Sequence, residues 1–352
     1  MNPDPTLLTV LQAEIPLNRI KFVTVIYNVV KDLPYGEKED LLADEDTITT
    51  AKEVYNVFAK EGFKVNLFEL NEQTVEQLFD IKTDLFFNLC YGIGSIPKTE
   101  AEVARILEKT GKPFTGGTSR AITFTTDKVA TKKKFIKYGI PTPHYQIVVS
   151  KNDPLNPKLN FPLIVKPKNE DCSLGIHNNA VVRNKEELQE RLTYVLSTYR
   201  EPLLVEEYID GRELNITVIG NGREVRMLPV SEIVFGESYH FGKKWKIVDF
   251  EAKWITGSLN YQETTGVCPA QLEKDTLQNI EKLAIIAYKT CGCRDYARID
   301  VRLSPKQTPY FLEINLNPGI GPADGAVRSA RAGGLSYSAF LKEIARIAVS
   351  RY

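Results

Sequence analysis

Hydrophobic and polar residues alternate most clearly in the segment YARIDVRLSPKQTPYFLEINLNPG, which spans Tyr296–Gly319. In its first half the odd-numbered residues 297–303 are apolar, whereas Arg298, Asp300 and Arg302 fall on the opposite face of an extended chain. The intervening SPKQTP predicts a turn, so the segment is expected to form an antiparallel hairpin. The faces predicted for its second half are Phe311, Glu313 and Asn315 on one side and Leu312, Ile314 and Leu316 on the other.

This predicted hairpin would bring several polar groups together. If the turn is centred on the 306–307 peptide bond, Asp300 faces Glu313 and Arg298 faces Asn315. Two carboxylates held side by side repel each other, and Mg²⁺, which prefers oxygen ligands, would remove that repulsion. Arg298 is suited to a phosphate or an oxyanion. The alternative interpretation is an edge hairpin whose polar face is solvated.

The first third of the chain alternates between strand and helix patterns. This order is typical of a small open parallel sheet, in which ligands bind beyond the carboxyl ends of the strands. Those ends would be residues 28–31 and 88–95. The predicted strands are Arg19–Tyr27, Lys64–Glu69 and Asp84–Leu89, and the predicted helices are Ile48–Lys60, Val75–Phe79 and Pro97–Thr110.

Two lysines in the middle of the chain are candidates for phosphate contacts. The pattern predicts a basic helix at Thr126–Tyr138, in which Lys128 is the residue expected on a phosphate and the other lysines are expected on a solvated face. A strand at Phe161–Pro167 contains Lys166 and precedes a loop of small residues, an arrangement that could form a lid over phosphates. The alternative for Lys166 is an ordinary charge at the end of a strand.

The remaining pattern predicts a second region of strands. The exit of one strand carries Glu206, Glu207 and Tyr208, an acidic edge that could bind an adenine amino group and ribose hydroxyls, or could be a plain polar strand end. The predicted strands are Pro202–Ile209, Glu213–Ile219, Val225–Val230 and Trp245–Lys253, and the predicted helices are Glu186–Leu196, Gln271–Thr290 and Tyr337–Val349.

Composition narrows the function classes. The 352 residues contain 45 Lys and Arg and 45 Asp and Glu, so the formal charge is zero and no long-range field favours nucleic acid or a membrane. We expect no secretory signal and no membrane helix, which would need about 18 apolar residues in a row. Five cysteines in a chain of this length indicate a reducing compartment, which we expect to be the cytoplasm.

Eight motifs in order carry a resemblance to a known family: TDKVATKKKF, GIPTP, FPLIVKP, LLVEEYIDGREL, DFEAKW, ARID, FLEINLNPG and GLSY. Together they resemble the ATP-grasp superfamily and, within it, the D-alanine–D-alanine ligase family. The resemblance implies an ATP-grasp fold, of mixed α/β and α+β class, with an N-terminal open parallel α/β domain. The implied domains are 1–122 (N-terminal), 123–212 (central ATP-grasp subdomain) and 213–352 (C-terminal ATP-grasp subdomain with the metal site).

The resemblance also implies roles for individual residues. ATP would be bound at its phosphates by Lys128 and Lys166, and Lys253 would reach the γ-phosphate. Arg298 and the backbone of Gly319 would stabilise the tetrahedral intermediate. The implied adenosine pocket is Glu206, Glu207, Tyr208, Ile209 and Glu213; the implied ligands of two Mg²⁺ ions, or of Mn²⁺ in their place, are Asp300, Glu313 and Asn315; and the segments implied to exclude water contain Cys172, Ser173 and Trp254.

Departures from the family concern the substrates. A glutamate that holds the first substrate's ammonium group in the family has no counterpart that we can place here. Cys172 and Trp254 stand where the family has serine and tyrosine. Asp324 stands where a serine receives the second alanine's carboxylate, and an anion there would repel a carboxylate.

We therefore expect an ATP-dependent carboxylate–amine ligase, acting through an acyl phosphate, in specialised metabolism or dipeptide synthesis. Its partners would be small-molecule carboxylates and amines, and the family implies a homodimer. The alternatives are a D-alanine–D-alanine ligase proper, an enzyme that passes the acyl phosphate to a non-amine acceptor, and an ATP-binding interaction module without catalysis.

Overall fold

The N-terminal part of the protein is an open parallel sheet, as predicted. A computed structural model describes residue 17 and residues 20–33, 35–169, 173–240 and 244–352. Its first sheet has the order β2–β1–β3, and both pairings are parallel. The elements of this part are β1 (Phe22–Tyr27), α1 (Leu42–Lys60), β2 (Lys64–Glu69), β3 (Leu85–Asn88) and α2 (Glu100–Thr110), with a 3₁₀ helix at Val75–Phe79.

A second sheet follows in the middle of the chain. Its strand order is β4–β7–β5–β6, and the strand pairs are antiparallel. The pattern did not predict α3 or β4. The elements are α3 (Ser119–Thr126), α4 (Lys128–Lys137), β4 (Tyr145–Val148), β5 (Leu163–Pro167), β6 (Val181–Val182), α5 (Lys185–Tyr199) and β7 (Leu203–Glu207).

The third sheet carries the hairpin. Its strands follow the order β11–β10–β8–β12–β13, and β9 pairs with β8. The strands are β8 (Arg212–Ile219), β9 (Arg226–Met227), β10 (Ser231–Phe235), β11 (Thr264–Val267), β12 (Tyr296–Leu303) and β13 (Pro309–Asn315). The helices are α6 (Phe250–Trp254), α7 (Leu259–Gln262), α8 (Lys274–Thr290), α9 (Gly325–Ala332) and α10 (Tyr337–Val349).

The register predicted for the hairpin is confirmed at the end that carries the polar residues. Asp300 pairs with Glu313 and Arg298 pairs with Asn315. A bulge follows, because Val301 pairs with Phe311 and Leu312 has no partner in the ladder. The predicted face of Phe311 is therefore wrong, since the extra residue turns its side chain into the buried core, away from the side that carries Glu313.

Two helix starts differ from the sequence predictions because of aspartate caps. The Asp127 side chain accepts hydrogen bonds from the backbone N–H groups of Val129 and Ala130, so a new helix begins at Lys128 rather than running on from 126. The predicted strand Trp245–Lys253 is wrong, because the Asp249 side chain caps a short helix there by accepting from the Ala252 N–H.

The C-terminal helices close the molecule by packing on the N-terminal sheet. One hydrophobic cluster joins Val25 and Val54 to Val327, Phe340 and Ile344 from α9 and α10. This packing places the segment that follows β13 beside the N-terminal domain. In the part of the chain that the structure describes, no helix has the length and apolar character needed to cross a bilayer.

Candidate active site

Asp300 is the centre of a polar cluster on the third sheet. Arg298, two residues before it on β12, donates from Nε to Asp300 Oδ1 at 2.8 Å and from Nη2 to Oδ2 at 2.9 Å. Asn315 donates to Oδ2 at 3.2 Å, and Asn215 on the neighbouring strand β8 donates to Oδ1 at 2.9 Å. Burial alone would lower the pKa of Arg298, but Asp300 outweighs it and raises that pKa, so the guanidinium stays charged.

Glu313 lies opposite Asp300 and is held in its ionised form. Burial alone would raise its pKa, but Lys128, Lys166 and Arg298 outweigh this effect and lower it. The Glu313 Oε2 atom lies 3.8 Å from Lys128 Nζ. Two carboxylates and the side-chain oxygen of Asn315 are hard donors of the kind that Mg²⁺ prefers.

This donor set suits a cation that is shared with a ligand. Two carboxylates and one amide oxygen are fewer donors than Mg²⁺ takes, so phosphate oxygens would complete its coordination, which is the usual manner in which Mg²⁺ is held beside nucleotides. Among the described residues, no group of three or more His, Cys, Asp or Glu side chains is arranged to hold a metal ion by itself.

Lys166, one of the two predicted phosphate lysines, belongs to a buried ion cluster. Glu206 lies between Lys166 and Lys132, with its Oε1 2.6 Å from Lys166 Nζ and its Oε2 2.6 Å from Lys132 Nζ. Burial would raise the pKa of Glu206, but the two lysines lower it to about 2. Glu206 was expected in the adenosine pocket, whereas here its carboxylate binds the two lysines. Lys132, expected on a solvated face, is fully buried.

Three residues of the predicted adenosine pocket are connected by Arg302, which sequence reasoning left without a role. Its guanidinium donates to the Ile209 carbonyl at 3.0 Å, to Glu213 Oε2 at 3.0 Å and to the Tyr208 hydroxyl at 3.2 Å. It also binds the carbonyls of Gly211 and Lys246. Burial raises the pKa of Glu213 although Arg302 opposes the shift.

Glu207 lies apart from that network. Its Oε1 accepts hydrogen bonds from the backbone and side chain of Asn160, and its Oε2 lies 3.2 Å from His144 Nδ1. Successive side chains of a strand point to opposite faces, so Glu207 points away from the side on which Glu206 binds its lysines.

The loop that contains Ser173, one of the two segments expected to exclude water, contacts the residues just before Trp254. Ser173 Oγ donates to the Val248 carbonyl at 2.9 Å, and the Phe250 N–H donates to the Ile176 carbonyl at 2.8 Å. Ser173 has a φ of +64°, a left-handed conformation that is uncommon outside glycine. Cys172 lies outside the described residues.

A cavity of about 130 Å³ connects the hairpin to the N-terminal domain. Among the residues predicted from sequence it is lined by Lys253, Trp254, Arg298, Glu313, Asn315, Gly319 and Asp324. Sequence reasoning missed several residues that line it from the N-terminal half: Thr47, Thr50, Tyr91, Glu100, Thr125 and Thr126. They are separated by long stretches of sequence, and no short motif marks them.

Gly319 and Asp324 are packed against each other at one end of this cavity. Asp324 Oδ2 accepts a hydrogen bond from the Gly321 N–H at 2.7 Å. A Cβ atom at position 319 would lie 2.6 Å from the same oxygen, so a larger residue there would displace the Asp324 side chain. The loop therefore fixes a carboxylate close to the backbone that the resemblance assigns to the oxyanion.

The described arrangement has relatives among known proteins. A family model described as the D-ala D-ala ligase C-terminus matches residues 135–346. The chain belongs to the D-alanine–D-alanine ligase family. It is an ATP-dependent ligase that forms a carbon–nitrogen bond, and it uses a divalent metal ion.

Individual relatives are similar to this chain over most of its length. The chain is 34% identical over 269 residues to the uncharacterized protein y4sG of Sinorhizobium fredii, covering 76% of this chain and 75% of that protein. It is 28% identical over 297 residues to the D-alanine–D-alanine ligase of Bordetella avium, covering 84% and 87%.

Two solved structures share the fold. The D-alanine–D-alanine ligase of Bacillus anthracis, complexed with ATP, superposes with a TM-score of 0.71 at 24% identity, covering 94% of this chain and 98% of that one. The VanG D-Ala:D-Ser ligase of Enterococcus faecalis superposes with a TM-score of 0.69 at 19% identity, covering 93% and 98%.

Replacing Arg302 by Met should weaken ATP binding. The substitution leaves the Ile209 carbonyl and Glu213 without their shared donor, and a lost charged hydrogen bond corresponds to about tenfold or more in affinity. The KM for ATP should therefore rise by about that factor in steady-state assays, with a smaller change in kcat. Arg212→Met is the matched control, because Arg212 pairs with Glu232. Equal KM values for the two variants would contradict the assignment.

Replacing Glu313 by Gln should raise the Mg²⁺ concentration needed for half-maximal activity. The amide keeps the shape of the side chain but removes the charge that a hard cation requires. We expect a shift of about tenfold in a Mg²⁺ titration at fixed ATP, by analogy with other lost ion contacts. Glu232→Gln, which alters a carboxylate paired only with Arg212 in the described contacts, should leave the titration where it is. An unshifted curve for Glu313→Gln would remove this residue from the metal site.

Proposed function

We propose that this ligase joins a small carboxylate to an amine that either lacks a carboxylate or carries a positive charge near Asp324. The single observation that supports this specificity is the position of Asp324 on the cavity that also contains Arg298 and Gly319. A substrate carboxylate brought to that position would meet a fixed negative charge. An ammonium group, a hydroxyl or an apolar group at the same position would not be repelled by that charge.

Within that proposal the reaction has two steps. The substrate carboxylate attacks the γ-phosphorus of ATP and forms an acyl phosphate, while the bond to the β,γ-bridging oxygen breaks and ADP leaves. The amine then attacks the acyl carbon, loses a proton, and expels inorganic phosphate to leave an amide. Lys128, Lys166 and Lys253 would balance the charge of the phosphates, and a bound divalent cation, or two, would neutralise the charge that moves to ADP.

Arg298 is the residue best placed to stabilise the oxyanion of the second step. Its pairing with Asp300 keeps it charged and fixes its guanidinium at the wall of the cavity. The Gly319 N–H would be the second donor. A pre-placed donor of this kind contributes about 3 kcal/mol to the barrier reduction.

Glu100, on the helix α2, is a third carboxylate that lines the cavity, besides Glu313 and Asp324. This distribution supports substrates that present positive or neutral groups beyond the reacting atoms.

The free thiols of Cys90, Cys268, Cys291 and Cys293 support the prediction of a reducing compartment such as the cytoplasm. The homodimer also remains a prediction.

A D-alanine–D-alanine ligase proper is the second candidate. The observation in its favour is the similarity over most of the chain to proteins of that name, including the enzyme of Bordetella avium. The two candidates differ in the amine that completes the reaction.

Release of ADP should depend on the amine supplied. In assays that contain ATP, Mg²⁺ and a carboxylate, we expect full turnover only with amines that lack a carboxylate or bear an additional cation. Mass spectrometry should then detect the amide product. Omitting the amine should leave at most a slow release of ADP by hydrolysis of the acyl phosphate. Full turnover with D-alanine alone, giving its dipeptide, would contradict the proposal and establish the second candidate.

Replacing Asp324 by Asn should change amine selection without changing the KM for ATP. Asn keeps an acceptor for the Gly321 N–H and removes the charge. The ratio of kcat/KM values for a carboxylate-bearing amine and its carboxylate-free analogue should rise by about tenfold, the effect expected when a like charge is removed. Asp324→Ser should act in the same direction. A KM for ATP that changes as much as the amine ratio would show that Asp324 acts on the fold and not on the amine.

A further inference from the structure

Lys132 is a fully buried cation for which neither the sequence nor the proposed reaction provides a role. It lies one helical turn after Lys128 on α4, with no exposed surface. Its Nζ lies 2.6 Å from Glu206 Oε2, donates to Thr142 Oγ1 at 2.8 Å, and lies 5.6 Å from the centre of the Tyr145 ring. Burial lowers the pKa of Lys132, and Glu206 opposes that shift. A buried ammonium is costly unless it is paired and hydrogen-bonded, and Glu206 and Thr142 provide both contacts.

The partner of Lys132 is also the partner of Lys166. Glu206 is 1% exposed and gives one carboxylate oxygen to each lysine, so a single negative charge lies between two positive ones. The trio therefore carries one net positive charge. Lys166, at 6% exposed, is also buried, and its charge helps to lower the pKa of Glu313.

Without Lys132, the charge at Lys166 would be cancelled. Glu206 and Lys166 would form a neutral pair, and an anionic ligand next to Lys166 would meet the field of both. With Lys132 present, Glu206 is already balanced from the far side. The positive charge of the cluster then remains on the side of Lys166.

We propose that Lys132 is a positioning residue of the nucleotide site: it neutralises Glu206 and thereby leaves the charge of Lys166 available to the phosphates of ATP. This proposal rests on the proposed contact between Lys166 and phosphate. Lys132 itself touches no substrate. The hydrogen bond to Thr142, in the segment between α4 and β4, gives its ammonium group a second contact besides Glu206.

The test is a charge-balance cycle of four proteins in which ATP affinity is measured by calorimetry in the presence of Mg²⁺. Lys132→Met should weaken ATP binding by about tenfold or more, the effect of losing one charged contact. Adding Glu206→Gln to that variant removes the negative charge as well and restores the net charge at Lys166. The double variant should therefore recover most of the lost affinity, whereas Glu206→Gln alone should bind ATP no more weakly than the double variant.

A purely structural role for Lys132 predicts a different outcome. In that case the second substitution would add to the damage, and the double variant would bind ATP as weakly as Lys132→Met or more weakly. That result would overturn the proposal, and so would unchanged affinity in Lys132→Met. Thermal unfolding of each variant identifies one that fails to fold. If Lys132→Met is the one variant that fails to fold, the double variant is compared with the wild type instead. Near-wild-type ATP affinity of the double variant is expected only if the charge balance at Lys166 determines ATP binding.

Two further variants separate this inference from the proposed site. Lys133→Met changes the exposed neighbour on the same helix and should leave ATP affinity unchanged. Lys166→Met should weaken ATP binding at least as much as Lys132→Met does. If Lys166→Met binds ATP normally, the phosphate site itself is misassigned and the inference falls with it. If Lys166→Met is impaired and Lys132→Met is not, only the inference about Lys132 is wrong.

Discussion

The candidate site depends on two carboxylates that face each other across neighbouring strands. Asp300 and Glu313 are directly paired in the β12–β13 ladder, a position in which like charges are destabilising. The surrounding cations offset this cost: Arg298 binds Asp300 through two hydrogen bonds, and Lys128 lies near Glu313. Because the surrounding cations lower the pKa of Glu313, that carboxylate is prepared for a divalent cation without first losing a proton.

The balance between cations and carboxylates extends to Lys132, Lys166 and Glu206. With Lys132, Lys166 and Glu206 included, four cations surround three carboxylates, which leaves one net positive charge in a buried region. A protein whose formal charge is zero thus concentrates positive charge where a phosphate is expected. Burial increases the strength of each of these interactions, since fewer water molecules screen them.

The sequence predicted the hairpin well and the buried charges poorly, and there is a physical reason for each outcome. Strand alternation and the position of the turn determine which residues face each other, so Asp300 and Glu313 could be paired from the sequence alone. The bulge at Leu312 breaks that alternation and was not visible, so Phe311 was placed on the wrong face. Lys132 was expected in solvent because lysine usually is, and its burial depends on Glu206, about 70 residues away in the sequence.

Arg302 shows the same limit from the other direction. Alternation placed it correctly on the polar side of β12, but its partners Ile209 and Glu213 come from a separate segment that the tertiary fold brings alongside. The cavity residues of the N-terminal part, such as Thr47 and Glu100, approach the hairpin through long-range packing, which includes α9 and α10 on the first sheet. Local pattern identifies candidate charges, and long-range packing decides which of them meet.

The loop that carries Asp324 is held by contacts to its main chain. Its backbone is braced from α9, where Arg328 binds the Ala323 carbonyl at 3.2 Å and Arg331 binds the Pro322 carbonyl at 2.7 Å. These contacts involve main-chain atoms, so they fix the path of the loop whatever side chain stands at position 324. The charged cluster of Lys128, Lys132, Lys166, Glu206 and Glu313, by contrast, is built from side chains on α4, β5, β7 and β13 that balance one another. A change at Asp324 would therefore alter the charge at the wall of the cavity without removing a contact of that cluster.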